Sequence, residues 1–368
     1  MRVAQVTPLW EQVPPLAYGG TELVVSLLTE ELVRRGHQVT LFASGDSQTL
    51  ALLEPGCDRA LRALGVLSPA YASYEQRQLG HVFGHARDFD IIHSHMDVAA
   101  LAHTHRSLTP VVHTLHGPFS AASEQTFGQY RRQNLISVSN SQQRPELGLN
   151  YVATVYNAIA LEQFNFYPQA QAPPYLAFLG RMSEEKGPHL AIAIAKRTGW
   201  PLTMAGKIDF ENQDFFDREV APHIDGEQIM YLGEVSQSQK KALMGDATAT
   251  LFPITWPEPF GLVMIESMAS GTPVIAMALG AAPEVVAHGK TGFLCHNLED
   301  CVAAVEQTHQ ISRRACRDHV TVNFGVGRMV DSYEAVYREV IGQHDRPVSK
   351  TRDRAIDVRS RHPNLSAT

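Results

Sequence analysis

Two glutamates eight positions apart, Glu258 and Glu266, stand in the stretch PEPFGLVMIESMASGTPVIA. Glu258 lies in a loop beside two prolines, after the apolar run TATLFPI. Gly261 opens a helical pattern that runs to Ser270, and Gly271 stops it. One carboxylate is therefore just ahead of a helix and the other about one turn inside it, both near its positive end. The N–H groups of Phe260, Gly261 and Leu262 have no partner within such a helix, and they offer a seat for a diphosphate. Carboxylates beside an anion site can hold hydroxyls, one the diol of a ribose and the other the ring of a sugar, so the block suits a nucleotide-sugar. The bland alternative is a pair of solvated charges around an ordinary helix. The Gly and Pro frame argues against it.

Three further segments could serve the same ligand. In LGRMSEEKG, Arg181 and Lys186 sit in one loop after a strand and could clamp a leaving diphosphate. They could equally be surface charges balanced by Glu184 and Glu185. In YGGTE, Gly19 and Gly20 allow close backbone approach to a phosphate at the start of a helix, although most such pairs are only turns. In TLHG, His116 ends an apolar strand, where cleft residues of parallel sheets lie. His93, His95, His103, His105 and His113 suggest a metal, but no carboxylate accompanies them at a recognisable spacing, and none is expected. The acidic triplet Asp88-Phe89-Asp90 precedes a strand, the wrong end for a site in a parallel sheet.

The elements that must position these residues alternate between short apolar runs and helical patterns. Arg2 to Val6 reads as a strand, and Thr21 to Arg35 as a helix with Leu23, Leu27, Leu28 and Leu32 at helical spacing. Strand signals recur at Gln38 to Phe42, DIIHSH, PVVHTLHG and NLISVSN. The pattern restarts with strands at Tyr175 to Leu179, Leu202 to Ala205, Gln228 to Tyr231, Ala249 to Pro253 and Pro273 to Ala276. This predicts an α/β protein of two doubly wound units facing each other across a cleft. The first unit spans 1–160 and the second 161–328, with a Pro- and Gln-rich linker, FNFYPQAQAPP, between them. A helix over 329–342 would pack back on the first unit, and 343–368 has too little apolar periodicity to order.

Composition narrows the class. The 368 residues are 44% hydrophobic and 19% charged, enough for two cores. A net charge of −7 gives no reason to expect nucleic acid. Four scattered cysteines without a CxxC pair read as free thiols, and no run approaches the length of a membrane span. A cytoplasmic protein is the expectation. No basic amphipathic helix stands out, although peripheral membrane contact stays open.

Taken together, YGGTE, DIIHSH, TLHG, ISVSNSQ, VYNAI, GRMSEEKG, the E(x7)E block and LGAAPEVVAHGKTGFL resemble the family 4 retaining glycosyltransferases, over nearly the whole chain to about Gly342. The resemblance implies the GT-B fold, with an acceptor-side first domain and a nucleotide-sugar-binding second domain. It implies a retaining transfer of a hexose from a UDP- or GDP-sugar to an unidentified acceptor, without metal or other cofactor. In that frame Glu258 holds the donor sugar and Glu266 the ribose. Arg181 and Lys186 neutralise the diphosphate, while Gly19, Gly20 and the amides of Phe260, Gly261 and Leu262 contact phosphate. His116 sits beside the sugar. The loop KIDFENQDFFD matches the usual base-binding turn only loosely. Two alternatives stay in view: a nucleotide-sugar epimerase on the same fold, and a non-catalytic nucleotide-sugar-binding protein.

Overall fold

The computed structural model describes residues 1–16, 19–105 and 107–344. Two parallel sheets form the frame. The first contains β1 (Arg2–Val6), β2 (Gln38–Ser44), β3 (Leu52–Cys57), β4 (Ile91–Ser94), β5 (Val111–Leu115), β6 (Asn134–Ser137) and β7 (Tyr151–Thr154), ordered β3-β2-β1-β4-β5-β6-β7. The second contains β8 (Leu176–Leu179), β9 (Leu202–Ala205), β10 (Ile229–Tyr231), β11 (Ala249–Phe252), β12 (Val274–Met277) and β13 (Gly292–Cys295), ordered β10-β9-β8-β11-β12-β13. In both, the order reverses beside the first strand, so each sheet opens a crevice at the carboxyl ends of its central strands. This is the doubly wound α/β architecture of the GT-B fold.

The central strands are short apolar runs buried on both faces, as parallel sheets covered by helices require. β3 and β13 do not stand out in the sequence: β3 contains Pro55 and Gly56, which only an edge strand tolerates, and β13 is just GFLC.

The helix Val326–His344 lays Met329, Val330, Tyr333, Tyr337 and Val340 into the core of the first sheet. It begins earlier than the 329–342 expected from its apolar spacing, because Val326 also packs on that core, and it ends two residues later, at His344. The proposed tail thus starts within this helix, and 345–368 lie outside the described residues. The helix after Gly261 runs Leu262–Ala269, with Ser270 as its C-cap.

A carboxylate ties the two lobes together. Glu284 accepts the N–H groups of Asn140 (2.8 Å) and Ser141 (2.7 Å) and the hydroxyl of Tyr156 (2.9 Å). Nearby, Ser139 donates to the carbonyl of Pro259 at 2.6 Å, which anchors the Glu258 loop to the first sheet. Among the described residues no helix is long and apolar enough to cross a membrane.

Candidate active site

The loops after β8, β9 and β11 build one wall of the cleft. Lys186 forms an ion pair with Glu258, joining two loops that are 72 residues apart in sequence. Trp256 fixes the same carboxylate: its indole N–H donates to Glu258 Oε2 at 2.8 Å, and its ring lies 4.9 Å from Lys186 Nζ. Glycines permit this crowding. A Cβ on Gly187, whose φ is 74°, would stand 2.0 Å from the carbonyl oxygen of Pro253. A Cβ on Gly206 would stand 1.7 Å from that of Gly180. Both strand-end loops therefore need glycine to reach their neighbours.

Arg181 donates to Glu185 at 2.9 Å and lies 3.7 Å from Asp209, which in turn pairs with Lys207 at 2.8 Å. Its Nε is buried without a partner among the described residues. Glu266 is buried one turn inside the helix Leu262–Ala269 and accepts from Lys240 Nζ at 2.5 Å. At the head of that helix Gly261 has φ 84°, in the left-handed region. The N–H groups of Phe260, Gly261 and Leu262 donate to no acceptor among the described residues. A cavity of about 170 Å³ lies beside Leu262, bordered also by Gly19, Gly20, Lys207, Lys240 and Glu266. A Cβ on Gly20 would come within 3.5 Å of the Leu262 side chain, so the GG turn and the helix start face each other across the cleft.

The opposite wall comes from the first sheet. His116, half-buried just beyond β5, meets His95 Nδ1 through its Nε2 at 2.9 Å. From there the chain of contacts runs inward. His95 Nε2 meets Gln5 Oε1 (2.9 Å), and Gln5 Nε2 donates to the Tyr337 hydroxyl (3.1 Å). That hydroxyl meets His93 Nδ1 (2.7 Å), and His93 Nε2 meets Thr114 Oγ1 (2.7 Å). With the Gln5 carbonyl accepting, His95 carries its proton on Nε2 and accepts on Nδ1. His116 then carries its proton on Nε2 and keeps Nδ1 as a free lone pair. Burial holds His93 and His95 well below the usual histidine value and pushes His116 down to about 4, so the chain is uncharged near neutrality. Asp97, in the left-handed region at φ 41°, accepts the backbone N–H of His116 at 3.1 Å, and burial raises its carboxyl to about 6.

The structure therefore brings Lys186 to Glu258, and Gly19, Gly20, Leu262 and Glu266 to one cavity. Arg181 joins that cavity through Asp209 and Lys207, whereas His116 belongs to the facing wall. Lys207, Lys240 and Trp256 were not singled out from sequence. Lys207 had a faint signal, following Gly206 at a strand end; Lys240 is one of several polar residues on the helix Gln237–Asp246. Of the histidines of DIIHSH, His93 bonds to Tyr337 of the C-terminal helix and to Thr114, and His95 bonds to His116 and Gln5. Among the described residues no group of three or more His, Cys, Asp or Glu side chains is arranged to hold a metal. Asp90 binds the backbone and side chain of Arg2 at 2.8 and 3.0 Å, at the amino end of β4.

Comparison with known proteins decides the family. Residues 18–162 match Glycosyltransferase Family 4, and residues 161–315 match Glycosyl transferases group 1. The chain belongs to the family 4 glycosyltransferases. This glycosyltransferase is 26% identical over 396 residues to a glycogen synthase of Mycobacterium tuberculosis, covering 92% of the chain and 94% of the relative. It is 28% identical over 347 residues to an alpha-maltose-1-phosphate synthase of Mycolicibacterium smegmatis, covering 80% and 84%. In fold it is similar to a sucrose-phosphate synthase of Thermosynechococcus elongatus, with TM-score 0.76, 16% identity and coverage of 93% and 100%. It is also similar to an Anabaena protein solved with UDP and glucose, with TM-score 0.70, 20% identity and coverage of 92% and 100%.

Proposed function

We propose that this glycosyltransferase moves a hexose from a UDP- or GDP-sugar to an acceptor hydroxyl with retention of configuration and without a metal ion. The observation that carries the reading is the Lys186–Glu258 pair, held next to the open amides of residues 260–262. It sets a cation and a hydroxyl-binding carboxylate where a sugar phosphate would meet a helix start. The diphosphate would sit between these amides, the GG turn, Lys186 and Arg181. Glu258 would hold the sugar's hydroxyls, and Glu266, steered by Lys240, would hold the ribose diol. His116 would offer its Nδ1 lone pair to a sugar hydroxyl from the opposite side.

In the transfer, the bond from the anomeric carbon to the phosphate oxygen breaks and a bond to the acceptor oxygen forms on the same face. The acceptor's proton passes to the departing phosphate oxygen. Positive charge builds on the sugar and negative charge on the phosphate, and fixed cations and amides stabilise the latter without reorganising. The glycogen and maltose-1-phosphate synthases among the relatives favour a hexosyl donor, and the Anabaena complex favours a uridine nucleotide.

The test is a thermal-shift panel of UDP-, GDP- and ADP-sugars, followed by proton NMR of the anomeric centre during turnover in EDTA. A UDP- or GDP-sugar should stabilise the protein and yield a product of the donor's anomeric configuration. An inverted product, or a strict need for added magnesium or manganese, would overturn the mechanism. Rapid change of the donor's own sugar configuration would instead mark an epimerase.

A further inference from the structure

The first-domain wall holds a second constellation beside the residues assigned to the donor. After β1 the chain runs Leu9-Trp10-Glu11, and residues 61 and 62 fold back onto it. The Leu61 N–H donates to the carbonyl of Leu9 (2.9 Å) and that of Arg62 to Trp10 (3.2 Å). The half-buried Trp10 ring stacks on Tyr71, with centroids 6.4 Å apart and planes at 28°, and its N–H donates to Glu75 at 2.9 Å. Arg62 donates to Glu11 at 3.0 Å. Behind them Glu22 is only 3% exposed, and its Oε1 has no partner among the described residues. Its other oxygen lies 3.1 Å from where a Cβ on Gly19 would stand, so this carboxyl reaches the glycine turn that borders the donor cavity. Arg62 also acts electrostatically on Asp209 of the second domain, which places the constellation at the cleft.

Resting on the transferase reading above, we propose that this wall seats the acceptor and that the acceptor is a neutral saccharide, not a phosphorylated or otherwise anionic one. A pyranose presents an apolar C–H face and a rim of hydroxyls. A stacked aromatic pair answers the first, and carboxyl oxygens answer the second. Arg62, the one cation of the group, is already held by Glu11. An anion here would meet Glu11, Glu22 and Glu75 with no unpaired cation among these side chains to receive it. Glu22 Oε1, buried and without a partner among the described residues, is an acceptor that a hydroxyl would satisfy. Seated between Trp10 and the Gly19 turn, an acceptor hydroxyl would lie on the side of the donor from which its oxygen can bond to the anomeric carbon. Its proton then leaves with the phosphate oxygen.

The experiment titrates the protein, with and without UDP, with maltotriose and with glucose 1-phosphate, reading tryptophan fluorescence, and then uses both as acceptors with the donor found above. Maltotriose should bind and be extended in preference to glucose 1-phosphate. Trp10→Ala should weaken the saccharide roughly tenfold or more while UDP affinity stays unchanged, which also reports that the variant folds. Trp10→Phe should restore part of the loss. Preference for glucose 1-phosphate, absence of saccharide binding, or an indifferent Trp10→Ala would overturn the proposal. If no nucleotide-sugar is consumed, the donor reading fails, and the titration without UDP still decides this one.

Discussion

The two walls of the cleft share one strand order but solve the problem of buried polar groups in opposite ways. On the second-domain wall the charges come in pairs: Lys186 with Glu258, Lys240 with Glu266, Lys207 with Asp209, and Arg181 with Glu185. On the first-domain wall the polar groups are mostly uncharged or lack a countercharge. The histidines are kept neutral by burial, Glu22 is pushed up to about 7 and Asp97 to about 6. A wall of paired charges keeps cations in place until a diphosphate competes for them. A wall of neutral donors and acceptors can meet hydroxyl groups without leaving a buried charge unpaired. On the reading proposed above, the diphosphate would meet the wall of paired charges, and His116 would approach the sugar from the uncharged one.

The largest effect should follow from breaking the charged wall. Glu258→Ala removes the partner of Lys186 and the proposed sugar contact, and should lower kcat by about 10²–10³-fold while nucleotide affinity changes little. Steady-state rates alongside a nucleotide titration check it, and unchanged turnover would remove Glu258 from the site.

The facing wall should respond mainly in stability. Glu22 has a folded value of about 7 against an ordinary 4.5, so the native state holds the extra proton between those limits. Its contribution is fully present below pH 4.5 and is lost as pH rises through 7. Glu22→Gln should therefore raise stability at pH 8 by up to about 3 kcal/mol and change it little at pH 4. Denaturant melts at the two pH values decide this, and a variant less stable at pH 8 would contradict the sign.

A smaller loss is expected from Tyr337→Phe, which strips Gln5 Nε2 and His93 Nδ1 of a buried partner. It should cost about 1–3 kcal/mol and raise the donor KM by loosening His116, whereas the acceptor KM should stay unchanged. The smallest expected effect is none: EDTA should leave the rate unchanged.

How much of this could be read beforehand follows the same division. The E(x7)E block was legible because Pro257, Pro259, Gly261 and Gly271 punctuate it, and local punctuation survives in sequence. Two sheets with a cleft were legible from the restart of the strand pattern at Tyr175. The partners were not. Lys240 reaches Glu266 from another helix, Trp256 looks like one more apolar loop residue, and Lys186 finds Glu258 only through tertiary folding. The His116–His95–Gln5–Tyr337 chain needs the register of three strands and a helix from the far end of the sequence. Glu22, in the first turn of a helix, reads as an ordinary exposed acid; its burial comes from tertiary packing beside the Gly19 turn. Edge strand β3 was hidden by Pro55 and Gly56.

The central claim is that fixed cations grip the departing diphosphate in the transition state. Measuring kcat and the Kd for the nucleotide diphosphate side by side in Lys186→Ala tests it most directly. Turnover should fall by about 10²-fold while affinity for the nucleotide weakens by far less, because the lost charge matters most as negative charge develops. Full turnover with Lys186 gone, or an equal loss in both quantities, would contradict it.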